Sequence, residues 1–327
     1  KAINNDAQTE LFSYFYNITK TGNWEDGKNI VHINRNYGDV AKKYNTTTKR
    51  VKSEITLAKA KLLVERQNRV RPGLDDKILT SWNAIMLKGY VDAYRVFGEK
   101  RFLDVAIKNA DFLMDNATKN GHRLNRNYKS GKSVINAFLD DYALMSEAFT
   151  ALYQATFEEK WLIEAKAYTD YALKHFYDKE SGVFNYTSDI DPPLIARKKE
   201  ISDNVIPASN SIMAKNLYVL GSYFFEDQYL KKSALMMKNV SNQVLTSEQP
   251  YFFSNWLSLY LMLSKSPYEV AIVGKDCERL RKEVESYYLP NAILLGGAEE
   301  GELILLDGKL VKGETIIYVC QDKICKS

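Results

Sequence analysis

The chain has 327 residues, 45% of them hydrophobic and 26% charged, enough for a large core in one large domain or two smaller ones. Its net charge of +4, from 45 basic against 41 acidic residues, is too small and too scattered for a dedicated nucleic-acid binder, and the run Arg197-Lys198-Lys199 reads as a solvated loop. No apolar run reaches the ~20 residues that span a bilayer, and no signal peptide is visible, in a chain that starts at Lys1 and reads as a fragment or a processed product.

In chain order, Glu10 to Tyr16 predicts a short apolar helix, Gly22 to Gly27 a turn, and Asp39 to Arg66 one charged helix with a solvated face. Between Arg69 and Asn83 a Pro-Gly pair breaks the backbone, the carboxylates Asp75 and Asp76 follow, and an amphipathic helix runs from Ile78 to Phe97 before Gly98. A helix from Arg101 to Asn116 completes a hairpin. Asp141 to Thr156 with Lys160 to Tyr177 predicts a second pair, and Ser209 to Phe224 with Asp227 to Leu245 a third. One further helix covers Phe253 to Leu263. The repeat is too long and irregular for a short-period solenoid. The connections Gly121 to Ala137 and Asp178 to Pro207 are long enough to be functional or lid-like, and each arrives at the first helix of the next hairpin.

The last sixty or so residues change character. A strand at Glu269–Val273, a helix at Asp276–Tyr287, a strand at Ala292–Leu295, a hairpin over Ile304–Val311 turning at Asp307-Gly308, and a strand at Ile316–Val319 predict a small α/β module. Val273-Gly274-Lys275 lacks the spacing of a phosphate loop, so no nucleotide site is expected there. The expected division is 1–70 as an N-terminal helical segment and linker, 71–265 as helical hairpins, and 266–327 as the α/β module.

Several blocks resemble one family, the C-terminal part of the thioredoxin-domain proteins typified by bacterial YyaL and the animal spermatogenesis-associated homologues. They are Gly22-Asn-Trp-Glu with Asn29-Ile-Val-His32, the segment Arg71 to Asn83, Phe138-Leu-Asp-Asp-Tyr-Ala143, Asp203 to Ser211, and Tyr318-Val-Cys with Cys325. Ala84 and Ala208 depart from the family pattern. The resemblance implies a mainly α fold, helical hairpins of the (α/α)6-toroid type that several glycosidases and sugar 2-epimerases use, here incomplete. It also implies an N-terminal thioredoxin-like domain, of which no Cys-x-x-Cys or βαβ pattern is seen here. Three hairpins and one helix do not close a six-hairpin ring, so the expected partners are that missing domain or a second copy.

In such a toroid the first helix of each hairpin lines the interior and all of them run the same way. Asp75, Asp76, Asp140, Asp141 and Asp203 then meet at one mouth as candidate catalytic carboxylates, with Trp82, Asn83, Tyr142 and Asn210 as candidate substrate contacts. An Asp at a helix start equally serves as a cap. The expected function is a carbohydrate-active protein, glycoside hydrolase or sugar epimerase-like, using paired carboxylates. The alternative is a non-catalytic glycan- or protein-binding scaffold that works with the thioredoxin-like domain. His32, His122 and His175 are too scattered for a metal site, and no cofactor is expected. Cys320 and Cys325 have four residues between them rather than two, so they read as buried free thiols rather than a redox motif, with a labile disulfide as the alternative, and so few cysteines fit a cytoplasmic protein.

Overall fold

The structure is a computed structural model that describes residues 2–192, 195–321 and 324–326, in two compact units, Lys1–Asp75 and Asp76–Ser327. In the first unit, α1 (Asp6–Phe15) starts at Asn5, whose side chain accepts from Gln8 N at 2.9 Å. α2 (Tyr37–Lys43) is capped by Asn36 and α3 (Thr48–Gln67) by Thr47. The single helix expected over Asp39–Arg66 is therefore two. Asn45 takes the left-handed conformation at φ 48°, and the Thr47 hydroxyl accepts from Arg50 N to start a new helix. Phe12, Phe15, Val40, Val51 and Ile55 form the core of this unit. Residues 68–77 belong to no helix, so Asp75 and Asp76 do not cap the helix that follows them.

The second unit opens with β1 (Ile78–Leu79) and the hairpin of α4 (Thr80–Phe97) and α5 (Lys100–Ala117). After β2 (Thr118–Lys119), β3 (Arg123–Leu124) and β4 (Asn127–Tyr128) comes the hairpin of α6 (Leu139–Thr156) and α7 (Glu159–His175). β5 (Tyr177–Asp178) and β6 (Val183–Phe184) lead to the third, α8 (Ser209–Phe224) and α9 (Asp227–Leu245), followed by α10 (Ser254–Ser264). The two-residue ladders β1–β4, β2–β3 and β5–β6 escape sequence reading, because two residues carry no alternation.

The three hairpin tips share one geometry. Gly98, Phe157 and Phe225 end α4, α6 and α8 in the left-handed region, each followed by a Glu and then the next helix. This conformation is free for glycine and costs a β-carbon-bearing residue about 1–2 kcal/mol. Phe157 offsets the cost by packing in the sheet core, and Phe225 by packing on the helical core. α6 is the central helix, with α4 on one side, α8 on the other and α7 behind. Along its whole length only Glu147, Gln154 and Thr156 escape burial.

The C-terminal sheet comprises β7 (Tyr268–Val273), β8 (Ala292–Gly297), β9 (Ile316–Gln321) and β10 (Ile324–Lys326), with α11 (Cys277–Glu285) between β7 and β8. Its order is β10-β9-β7-β8, with β7 and β8 parallel and the other pairs antiparallel. Val270, Ile272 and Leu294 face α11, while Ala271, Val273, Ile293 and Leu295 join the helical core. The sheet sits at the C-terminal ends of the first helices, where Tyr223 Oη donates to Leu294 O at 2.7 Å.

Two expectations are corrected here. Ile304–Val311 is not a strand hairpin but a 3-10 turn at Ile304–Leu306, because Leu305 and Leu306 plug the core. Cys320 is disulfide-bonded rather than a free thiol, on a hairpin whose register sets Cys325 opposite it, and Cys277 is free. The Cys325 side chain lies outside the described residues.

Gly296 is a test of the sheet. A Cβ there would stand 2.1 Å from Ile272 O on the paired strand. Gly296→Ala should therefore lower unfolding free energy by about 2 kcal/mol or more, read by denaturant titration.

Candidate functional site

A helix start leaves backbone N–H groups without intrahelical acceptors. α4 has no side-chain cap of its own at Leu79. Asp141 of α6 supplies the acceptor instead: its Oδ1 takes Ser81 N at 2.9 Å and its Oδ2 takes Phe138 N at 3.0 Å. At the start of α8, Asn210 accepts from Phe184 N at 2.8 Å and donates to Phe184 O at 3.0 Å and Glu200 O at 3.1 Å. Tyr186 O accepts from Leu139 N at 3.0 Å, which ties that strand to α6. Asp203 accepts from Ala208 N at 2.8 Å and from Asn255 N at 3.1 Å, joining the starts of α8 and α10. The starts of α4, α6, α8 and α10 thus gather at one end of the unit, each braced to the next.

At the centre of that end, one guanidinium holds two carboxylates. Arg126 Nη1 donates to Asp140 at 3.1 and 3.3 Å and to Asp141 at 3.1 Å. Both acids are buried, whereas Arg126 keeps 22% of its side chain exposed and lies over the Phe138 ring. Arg126 is held in turn by its backbone, which donates to Ile135 O and accepts from Thr80 N. Burial, and then the neighbouring Asp140 charge, push Asp141 up to about 7, against the pull of Arg126 and the Phe138 and Ser81 N–H groups. Burial and the Asp140 charge likewise raise Tyr186, which shares a hydrogen bond with Asp140.

Seven residues along α6 from Asp140 stands Glu147, the second polar station on its open stripe. Lys215 of α8 donates to Glu147 Oε1 at 3.1 Å and to Asn255 Oδ1 of α10 at 3.4 Å. Lys88 of α4, paired with Asp92 at 2.8 Å, adds a second positive charge beside it. Lys215 and Lys88 together hold Glu147 below the usual carboxylate range, against the larger opposing effect of burial. The sequence reading missed this cluster. Its signal was a lone charge inside the otherwise uncharged run Tyr142–Thr156, with a lysine at the matching depth of α4 and of α8.

The remaining candidates are distributed as follows. Trp82 is 58% exposed in the first turn of α4, beside the braced Ser81. Asn83 turns back to donate to Leu79 O at 2.8 Å. Tyr142 is buried, its hydroxyl accepting from Leu124 N at 2.8 Å and its ring stacked on Tyr171. Asp76 is exposed and pairs with Lys129 at 2.5 Å, and Asp75 is exposed at the end of the first unit. Asp203 borders a separate cleft of about 530 Å³ with Glu200, Gln249 and Phe252. The structure therefore brings Asp140, Asp141 and Arg126 together near Trp82, and sets Asp203 one helix away. Of the histidines, His122 faces Glu164 and His175 faces Asp189, at separate places.

Residues 47–190 match the family model described as the β-L-arabinofuranosidase GH127 catalytic domain. Spermatogenesis-associated protein 20 from Homo sapiens is 23% identical across 97% of this chain and 44% of its own length. The Mus musculus protein is 24% identical across 88% of the chain and 39% of its own length. The chain thus spans less than half of these curated relatives. Among solved structures, a D-mannose isomerase is 14% identical, with a TM-score of 0.46 over 64% of this chain and 58% of its own. A cellobiose 2-epimerase from Spirochaeta thermophila is 13% identical, with a TM-score of 0.45 over 57% of this chain and 52% of its own. A GH76 α-mannanase from Bacteroides thetaiotaomicron is 16% identical, with a TM-score of 0.42 over 63% and 55%.

Two outcomes follow from the braces. Because Asp141 is raised, the folded chain binds more protons than the unfolded one between the ordinary Asp value and about 7, so stability falls as pH rises through that window. Asp140→Asn removes the like charge and should flatten this slope in thermal melts between about pH 4 and 8. Asp203→Ala leaves the Ala208 and Asn255 N–H groups without acceptors and should cost about 2–3 kcal/mol by denaturant titration.

Proposed function

We propose that this chain, a homologue of spermatogenesis-associated protein 20 with a helical body of the six-hairpin glycosidase-like type, is a carbohydrate-active protein whose ligand meets the starts of α4 and α6. The observation that carries this reading is the use of the buried acids. Asp141 and Asp203 spend their oxygens on backbone N–H groups, whereas the contacts of Asp140 are side chains, Arg126 and Tyr186. Asp140 is the group left to exchange a proton with a sugar, either at a glycosidic oxygen or at a carbon being epimerised. Arg126 holds the negative charge in place, and Asp141 beside it, raised by burial and the Asp140 charge, shares the same guanidinium. Trp82 offers an exposed ring for the apolar face of a sugar. The GH127 match across α4 to α7 supports a glycoside as the substrate class.

A second reading draws on the same braces. Carboxylates committed to holding helix starts make a rigid platform, which suits a non-catalytic glycan- or protein-binding scaffold for the thioredoxin-like domain that the sequence resemblance implies.

Turnover of a panel of nitrophenyl glycosides and reducing disaccharides, followed by absorbance and NMR, separates the two. The catalytic reading expects wild-type turnover and a loss of at least ~100-fold in Asp140→Asn with the native circular dichroism spectrum retained. Saccharide binding by calorimetry without turnover would move the conclusion to the scaffold. Neither turnover nor binding would end the carbohydrate reading.

A further inference from the structure

One motif of the sequence has no part in the helix-start site. Gly22-Asn-Trp-Glu with Asn29-Ile-Val-His32 belongs to the first unit, where residues 28–34 run without turn or bend. Along this stretch the main chain bonds on one side only. Lys28 O accepts from Asn23 N at 3.0 Å and from Trp24 N at 2.9 Å. Ile30 N donates to Asn23 Oδ1 at 2.7 Å, and Ile30 O accepts from Asn23 Nδ2 at 3.0 Å. The Asn29 side chain clasps Thr19 N and Thr19 O, both at 3.0 Å. Extended chain points the N–H and C=O groups of successive residues to opposite sides. Asn29, Val31 and Ile33 therefore aim theirs away from Asn23, and nothing among the described residues bonds to their main chain. Ile30, Val31 and Ile33 are 42%, 57% and 70% exposed. Between Asn29 and Ile33 there is no Lys and no Pro, the residues that usually guard an open edge.

We infer that Asn29–Ile33 is an open strand edge on which a second copy of this chain pairs antiparallel, with Val31 facing its own counterpart. The inference is independent of the carbohydrate reading. The pattern of free groups selects this occupant. Donors and acceptors at Asn29, Val31 and Ile33 are symmetric about Val31, so a twofold axis there sets Asn29 opposite Ile33 and pairs every one of them.

Charge selects the direction. The antiparallel register sets Lys28 opposite Asn34 and His32 opposite Ile30, so no like charges meet. A parallel, in-register pairing would set Lys28 on Lys28 and His32 on His32, which is destabilising. Lys28 is also balanced by Asp26 at 3.6 Å, and Arg35 is held over the Tyr14 ring. A strand pair this short buries less than the ~1,200 Å² of a standard stable interface, so the dimer is a weak one.

The test is sedimentation equilibrium of the full chain from ~5 to ~500 μM, a range that brackets a weak dimer, with residue-level amide exchange at both ends. Wild type is expected to pass from monomer toward dimer. Exchange should slow at Asn29, Val31 and Ile33 and not at His32, whose N–H points the other way. Val31→Pro deletes a donor that no intrachain bond uses, so it should keep the native circular dichroism spectrum and weaken dimerisation at least ~10-fold. Val31→Lys and Val31→Glu should each be monomeric alone and dimerise when mixed, because opposite charges then meet on the axis. This pair carries the test if Val31→Pro does not fold. Wild type that stays monomeric to the top of the range overturns the inference. So does a dimer that all three variants leave intact, or amide protection that does not alternate along the segment.

Discussion

Backbone N–H groups at the starts of crowded parallel helices must find acceptors, and here side chains from neighbouring elements provide them. Asp141 serves Ser81 on α4, Asn210 serves the strand that reaches back to α6, and Asp203 serves Ala208 and Asn255 on α8 and α10. Buried donors left unpaired would each cost about 1–3 kcal/mol. The same contacts set which helix stands beside which, so local satisfaction and lateral packing are a single constraint. Asn216 repeats the device one level deeper, where its amide donates to Ala143 O across the α6–α8 contact.

That constraint explains what the sequence revealed and what it withheld. The hairpins were legible because 16 to 19 residues of helical periodicity are hard to mistake, and α8 and α9 begin and end at the residues expected. The gathering of acids at helix starts was legible too, in Asp140-Asp141 and Asp203. Their division of labour was not. Two adjacent aspartates are equivalent on paper, yet a helix turns successive side chains by about 100°, so Asp141 faces α4 while Asp140 faces Arg126 and Tyr186. Arg126 itself sits in a loop whose position is set by ladders two residues long, below the reach of any periodicity. Asp75 and Asp76 looked like caps because a Pro-Gly break precedes them, but β1 intervenes and the cap comes from α6.

The polar residues of α6 also differ in depth of contact. Asp141 is wholly enclosed by groups that need it as an acceptor, so its removal is felt by the fold. Glu147 touches only side chains that are themselves partly open to water, so the fold depends on it less. One helix therefore carries both kinds of contact without a loop between them, which gives them the precision of a rigid element.

The shared hairpin tip has a consequence for how such a chain can change. Gly98-Glu99, Phe157-Glu158 and Phe225-Glu226 turn the chain in two residues, with an aromatic ring wedged under two of the three tips. These tips leave no slack, and the β-sheet rests against them. The connections before α6 and α8, at the other end, are long. Insertions and deletions are thus channelled to the end where the helix starts gather, while the hairpin tips at the opposite end stay fixed.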